Sequence, residues 1–190
     1  MSDNHGAAGA AANEFVVART FGAPRELAFR VWAEAKHLER WWGPKGLAVS
    51  AAQLDFRPGG RFNYVMRTPD GHENGGLFRF LDIAEPERIV FVNSFSDAEG
   101  AVVRPPFEED WPLEILHSVT FAEAGARTTI RLKSSPLNAT PEEERVFRSG
   151  FASMEEGYGG TFDQLEAYLA EALPLPPATG VLPAIGTLNF

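Results

Sequence analysis

From Leu47 to Lys133 the chain is built of short runs in which apolar and polar residues alternate, separated by turn residues. Phe62, Tyr64 and Met66 alternate with Arg61, Asn63 and Arg67, and before them Leu54 and Phe56 alternate with Asp55 and Arg57. A period of two sends one set of side chains to one face of a β-strand. Pro58-Gly59-Gly60, Pro69-Asp70-Gly71, Glu85-Pro86-Glu87 and the stretch from Glu123 to Ala126 read as turns. Connections this short make neighbouring strands antiparallel. A sheet of this kind can keep one face wet, but its apolar face needs a cover.

The alternation also predicts which residues face that cover. The strand from Gly76 to Ile83 is nearly continuous in apolar character, so its inward face is ambiguous; Arg79 pointing out would turn Phe78 and Phe80 inward. In the next, Arg88 outward places Ile89, Phe91, Asn93 and Phe95 inward. By the same rule Ile115, His117, Val119 and Phe121 face in from Leu113–Phe121, as do Thr128, Ile130 and Leu132 from Arg127–Lys133. A bulge would slip these phases and turn some of the set outward.

The cover is expected from one helix spanning Thr140 to Ala172. Phe147, Phe151, Met154, Tyr158, Phe162, Leu165 and Leu169 recur at spacings of three and four, the signature of one buried helical face. Thr140, Pro141 and Glu143 make a capping box with proline at the first helical position. Gly150, Gly157, Gly159 and Gly160 each cost about 1 kcal/mol relative to alanine in a helix. Their expected role is to bring the helix close to its neighbour at some points and leave room at others.

Ahead of the alternating region, Glu14 to Phe21 reads as a first strand. A short helix after Pro24 carries Leu27, Ala28, Val31 and Trp32, and a second runs from Ala35 into Trp41-Trp42 before Gly43-Pro44. Trp41 and Trp42 are adjacent, so a continuing helix would point them apart, with core packing for both or a cavity-mouth position for one. Ser96 to Trp111 is expected as a loop. The expected organisation is a disordered lead-in over residues 1–13, one domain over 14–172, and a Pro-rich tail over 173–190 whose Val181, Leu182, Ile185 and Phe190 either stay disordered or dock on a groove.

With 190 residues, 44% hydrophobic and fifteen Phe, the chain can bury a large aromatic core in one domain. A formal charge of −9 argues against nucleic acid as a partner, because phosphate binding needs clustered Lys and Arg. No run approaches the roughly 20 apolar residues of a membrane span, and the Ala/Gly-rich N-terminal stretch lacks the positive region and apolar core of a secretory signal, so a cytoplasmic location is expected. The absence of cysteine removes thiolate chemistry. The four histidines are too scattered for a metal site, and no Gly-rich loop precedes a helix, so neither metal nor cofactor is expected.

Five separated motifs carry a resemblance: Arg40-Trp41-Trp42-Gly43-Pro44; Arg57-Pro58-Gly59-Gly60; Met66-Arg67 with Pro69-Asp70-Gly71; Glu85 to Phe91; and Met154 to Tyr158 with Thr161 to Leu165. In this order they resemble the family named for the activator of heat-shock-protein-90 ATPase, within the SRPBCC superfamily. The resemblance covers roughly Glu14 to Leu169, and Gly157-Tyr158 stands where the family commonly has Gly-Trp. It implies an α+β helix-grip fold, START-like and birch-pollen-allergen-like. In that fold a curved antiparallel sheet of about seven strands wraps a long C-terminal helix, with two short helices after the first strand and an apolar cavity between sheet and helix. It does not imply one activity.

Within that frame His117, Asn93 and Tyr64 are polar residues converging on an apolar interior, as small-molecule sites require. His117 would contact a ligand, act as a base, or be satisfied by a neighbouring hydroxyl or backbone group. The candidate ligand-binding set is Trp42, Phe62, Tyr64, Phe91, Asn93, Phe95, His117, Phe151, Met154 and Tyr158. The leading expectation is a non-catalytic binding protein for a small hydrophobic or aromatic ligand. The alternatives are a polyketide cyclase- or hydrolase-like enzyme using His117 with Tyr64 or Asn93, and a stress-related protein with a chaperone partner. An exposed tryptophan or the apolar tail would also offer a homodimer surface.

Overall fold

The structure, a computed structural model, describes residues 13–172. Strand β1 (Phe15–Phe21) is followed by helices α1 (Arg25–Ala33) and α2 (Ala35–Trp41). Then come β2 (Ala48–Leu54), β3 (Arg61–Arg67), β4 (Glu73–Ala84), β5 (Arg88–Ser96), β6 (Val102–Val103), β7 (Ile115–Ala124) and β8 (Arg127–Pro136). Helices α3 (Pro141–Ser149) and α4 (Phe151–Ala172) close the described chain. Seven strands form one curled antiparallel sheet in the order β1-β8-β7-β5-β4-β3-β2, and β6 is a two-residue addition beside β5. β6 lies inside the segment read from sequence as a plain loop.

The alternation finds its physical counterpart in the concave face. Phe62, Phe78, Phe80, Ile89, Phe91, Ile115, His117, Val119, Phe121, Thr128, Ile130 and Leu132 are all buried. Two irregularities interrupt the ladder. Between Phe80 and Asp82 the β4–β5 pairing skips Leu81, which is turned to solvent, and the β2–β3 pairing shifts between Ser50 and Gln53. Neither reverses the inward set, because the first lies after Phe80 and the second lies in the edge strand.

α1 and α2 fill one end of this face. Phe29 and Trp32 pack on Phe121, and Trp41 donates its indole N–H to Val31 O at 3.0 Å. Trp42 does not continue α2. It caps the helix in an extended conformation, and Gly43 follows at φ 112, so the chain turns and both tryptophans reach the same core.

The C-terminal cover is two helices rather than the single one expected over 140–172. Gly150 separates them, with its N–H shared between the carbonyls of Val146 and Phe147 and the Trp111 ring 3.0 Å from where a Cβ would stand. The apolar spacing runs unbroken across this joint, from Phe147 to Phe151 to Met154, so periodicity carries no sign of it. The capping box at Thr140 and Glu143 forms as the sequence indicates. Asn13, the last residue of the expected lead-in, hydrogen-bonds Glu144 at 2.7 Å and also receives Arg148. Residues 1–12 and the tail from 173, with the proposed docking of Val181, Leu182, Ile185 and Phe190, lie outside the described residues. No helix among the described residues is long and apolar enough to cross a membrane.

Candidate ligand cavity

At the end of the concave face away from α1, the sheet and α4 stand apart and leave a half-open cavity of about 360 Å³. Tyr64, Asn93, Phe95, Ile115 and His117 form its sheet wall. Met154, Gly157, Tyr158 and Thr161 form its helix wall. Trp42-Gly43-Pro44 closes one side, and Phe107, Trp111 and Pro112 from the β6–β7 connection form the rim.

Local geometry explains why space remains here. Tyr64 pairs across the β3–β4 hairpin with Gly76, and its ring lies flat on that glycine, where a Cβ would meet Tyr64 Cζ at 2.2 Å. Gly75 likewise admits the backbone of Ser96 at 2.4 Å from a notional Cβ. The Tyr64 ring is thereby folded against the sheet, stacked on Phe62 at 4.9 Å, instead of filling the interior. On the opposite wall, a Cβ at Gly157 would meet nothing within 4 Å, whereas one at Gly160 would press on the backbone of Lys45 at 3.3 Å. The glycines of α4 therefore divide between open space and close approach.

The rim is tied to the helices by Arg104. Its guanidinium donates to Trp111 O at 2.8 Å and pairs with Glu143 at 2.9 Å. Glu143 is the capping-box acid of α3, and the Thr140 N–H, with help from Arg104, holds its carboxyl below the usual range. Trp111 packs on Phe147 at 5.7 Å, while Phe107 lies 69% exposed and edge-on to Phe95 at 5.6 Å.

His117 sits in the sheet wall, 2% exposed and stacked on Phe91 with ring centroids 5.0 Å apart. Its Nδ1 shares a hydrogen bond of 2.8 Å with Ser134 Oγ, which faces it across the β7–β8 ladder. Burial pushes the imidazole down to about 3, so the ring is neutral at physiological pH. Burial likewise raises the Tyr64 phenol to about 12. The Tyr158 phenol rises through burial, with the nearby Tyr64 adding to the shift. Each titratable side chain of the wall is therefore uncharged near neutrality.

Asn93 Oδ1 is buried without a hydrogen-bond partner among the described residues. Trp42 Nε1 makes no close hydrogen bond either, but it approaches the Tyr64 hydroxyl and moderates the rise of that phenol. Trp32 Nε1 and Arg25 Nε also lack a partner among the described residues, but neither residue lines the cavity. Buried polar atoms are nearly always paired in folded proteins, so the Asn93 carboxamide on the cavity wall calls for a partner.

Seven residues of the candidate set thus meet at the cavity: Trp42, Tyr64, Asn93, Phe95, His117, Met154 and Tyr158. Three do not. Phe62 and Phe91 are fully buried behind the wall, and Phe151 packs with Phe15 at 5.6 Å and Phe147 at 5.4 Å in a second cluster. Sequence reasoning missed the rim residues Phe107, Trp111 and Pro112, for which no periodic signal exists, and Gly75-Gly76. The glycine pair was accessible, because a turn centred on Asp70 sets Tyr64 opposite Gly76.

A curled antiparallel sheet gripping a C-terminal helix, with an apolar cavity between them, defines a helix-grip protein. The chain belongs to the family of Activator of Hsp90 ATPase homolog 1-like proteins, whose family model matches residues 22–170. It is similar in structure to a protein from Arthrobacter aurescens solved by solution NMR, at 25% identity and a TM-score of 0.72 over 91% of this chain and 95% of that one. It also resembles a protein from Nitrosomonas europaea, at 23% identity and a TM-score of 0.68 over 85% and 97% of the two chains. The crystal structure of the AHSA1 protein from Silicibacter pomeroyi matches at 20% identity and a TM-score of 0.65, covering 84% of this chain and 99% of that one. A comparison with curated proteins finds no match.

Proposed function

We propose that the protein binds a small hydrophobic or aromatic molecule between its sheet and α4. The observation that carries this reading is the cavity itself: apolar walls, and the Asn93 Oδ1 of a lining residue left without a partner. Its volume of about 360 Å³ falls at the lower end of the roughly 300–1,000 Å³ usual for small-molecule sites, which favours a compact ligand over a two-chain lipid. Binding is favoured over catalysis because His117, Tyr64 and Tyr158 hold their neutral forms over the whole physiological range, a poor setting for proton transfer. A cytoplasmic role fits the lack of cysteine.

Ligand in the cavity stabilises the folded state in proportion to RT ln(1 + [L]/Kd). Naphthalene should therefore raise the melting temperature of the protein, and Gly157→Phe, which fills the open space beside Gly157, should abolish that rise. An equal rise in both proteins would place binding elsewhere and overturn the reading. The family match favours a second reading, a chaperone partner. Stimulation of an Hsp90-type ATPase by this chain, retained in Gly157→Phe, would support that reading instead.

A further inference from the structure

We propose that the cavity selects uncharged aromatic molecules bearing one hydrogen-bond donor, read by Asn93. This rests on the binding function proposed above and names the chemical class of its ligand.

Three observations combine. No Asp, Glu, Lys or Arg side chain lines the cavity among the described residues, so an ionised ligand would meet no countercharge. An unpaired charge in such surroundings loses its hydration and gains nothing in exchange, which excludes carboxylates, phosphates and amines as the preferred class. Asn93 Oδ1 then supplies the polar specification, accepting from a hydroxyl or N–H. Lastly, the remaining wall is rich in ring faces. Trp42 lies edge-on to Phe78 at 5.1 Å and to Tyr64 at 6.4 Å, and Phe95, Phe107, Trp111 and Tyr158 present further rings around the same space. Planar aromatic ligands satisfy such walls by stacked or edge-on packing.

Three probes of one ring system separate these terms: naphthalene-2-carboxamide offers donor and acceptor, methyl 2-naphthoate offers an acceptor alone, and 2-naphthoate is an anion at pH 7. Calorimetric titration of the full chain should rank the amide about tenfold tighter than the ester, the value of one well-made hydrogen bond. The carboxylate should bind at least about a hundredfold more weakly than the amide, as an uncompensated buried charge requires. Asn93→Leu should lower affinity for the amide about tenfold and leave the ester nearly unchanged. Retained ester binding shows at the same time that the variant is folded. Equal affinity for amide and ester, or tightest binding of the carboxylate, would overturn the selectivity and leave the binding function standing. If neither naphthalene nor any of the three bound, the binding function would fall and this inference with it.

Discussion

At the scale of single residues, His117 shows how burial decides chemistry. The imidazole lies between Phe91 and the cavity and has Ser134 as its hydroxyl partner. An unfolded histidine takes up its proton near 6.5, but the folded ring does so only near 3, so between these values the unfolded chain holds the extra proton. The contribution of this ring to stability is complete above about pH 6.5. It is lost as pH falls toward 3, at up to about 1.4 kcal/mol per pH unit. Denaturant midpoints measured from pH 7 to pH 5 should therefore fall more steeply for the wild type than for His117→Phe, whose core position no longer titrates. Parallel pH profiles for the two proteins would show that the ring is already solvated and charged in the folded state. The same burial disfavours the cation and leaves His117 as a neutral wall group whose Nδ1 is engaged by Ser134.

At the scale of elements, α4 is governed by where its glycines stand. Gly159 faces open surroundings and does not line the cavity, Gly157 faces the cavity, and Gly160 meets Lys45. Gly159→Ala should raise stability by roughly 0.5–1 kcal/mol, the usual gain at a helix-interior glycine, with an unchanged m-value in urea unfolding. Gly160→Ala should gain less, because the new Cβ presses on backbone at 3.3 Å. A larger gain at Gly160 than at Gly159 would contradict this account of the packing. Which glycines stand free was not legible in the sequence: the spacing named the apolar stripe but not what lay opposite each residue. The joint at Gly150 was hidden for a related reason, since Phe147 and Phe151 keep a helical spacing whether or not the helix breaks between them. The strands were far more legible. Each inward set read from alternation in β7 and β8 is buried, because a period of two leaves a strand with one face covered only two choices of register. β4, nearly continuous in apolar character, leaves its face open in the sequence, and in the structure Arg79 points away from Phe78 and Phe80.

At the scale of the whole molecule, the decisive feature is that two clusters of elements cover one sheet unequally. α1 and α2 fill one end with Phe29, Trp32 and Trp41, whereas α4 and the Arg104-tied rim bridge the other end without filling it. Phe62 and Phe91 share the inward phase of Tyr64 and Asn93, yet the first pair is core and the second is wall. Alternation ranks residues by face and not by distance along the strand from the filled end, so the sequence could not separate the two pairs. The helix-grip form itself was legible through five ordered motifs. The rim was not, because Phe107, Trp111 and Pro112 lie in an irregular segment positioned by one ion pair and one backbone carbonyl. The most direct test of the cavity as the binding site is an amide chemical-shift titration of the full chain with naphthalene-2-carboxamide. Saturable shifts concentrated at Tyr64, Gly76, Asn93, His117, Gly157 and Tyr158 are the predicted result. Saturable shifts confined to the convex face of the sheet, or none up to the solubility limit, would contradict it.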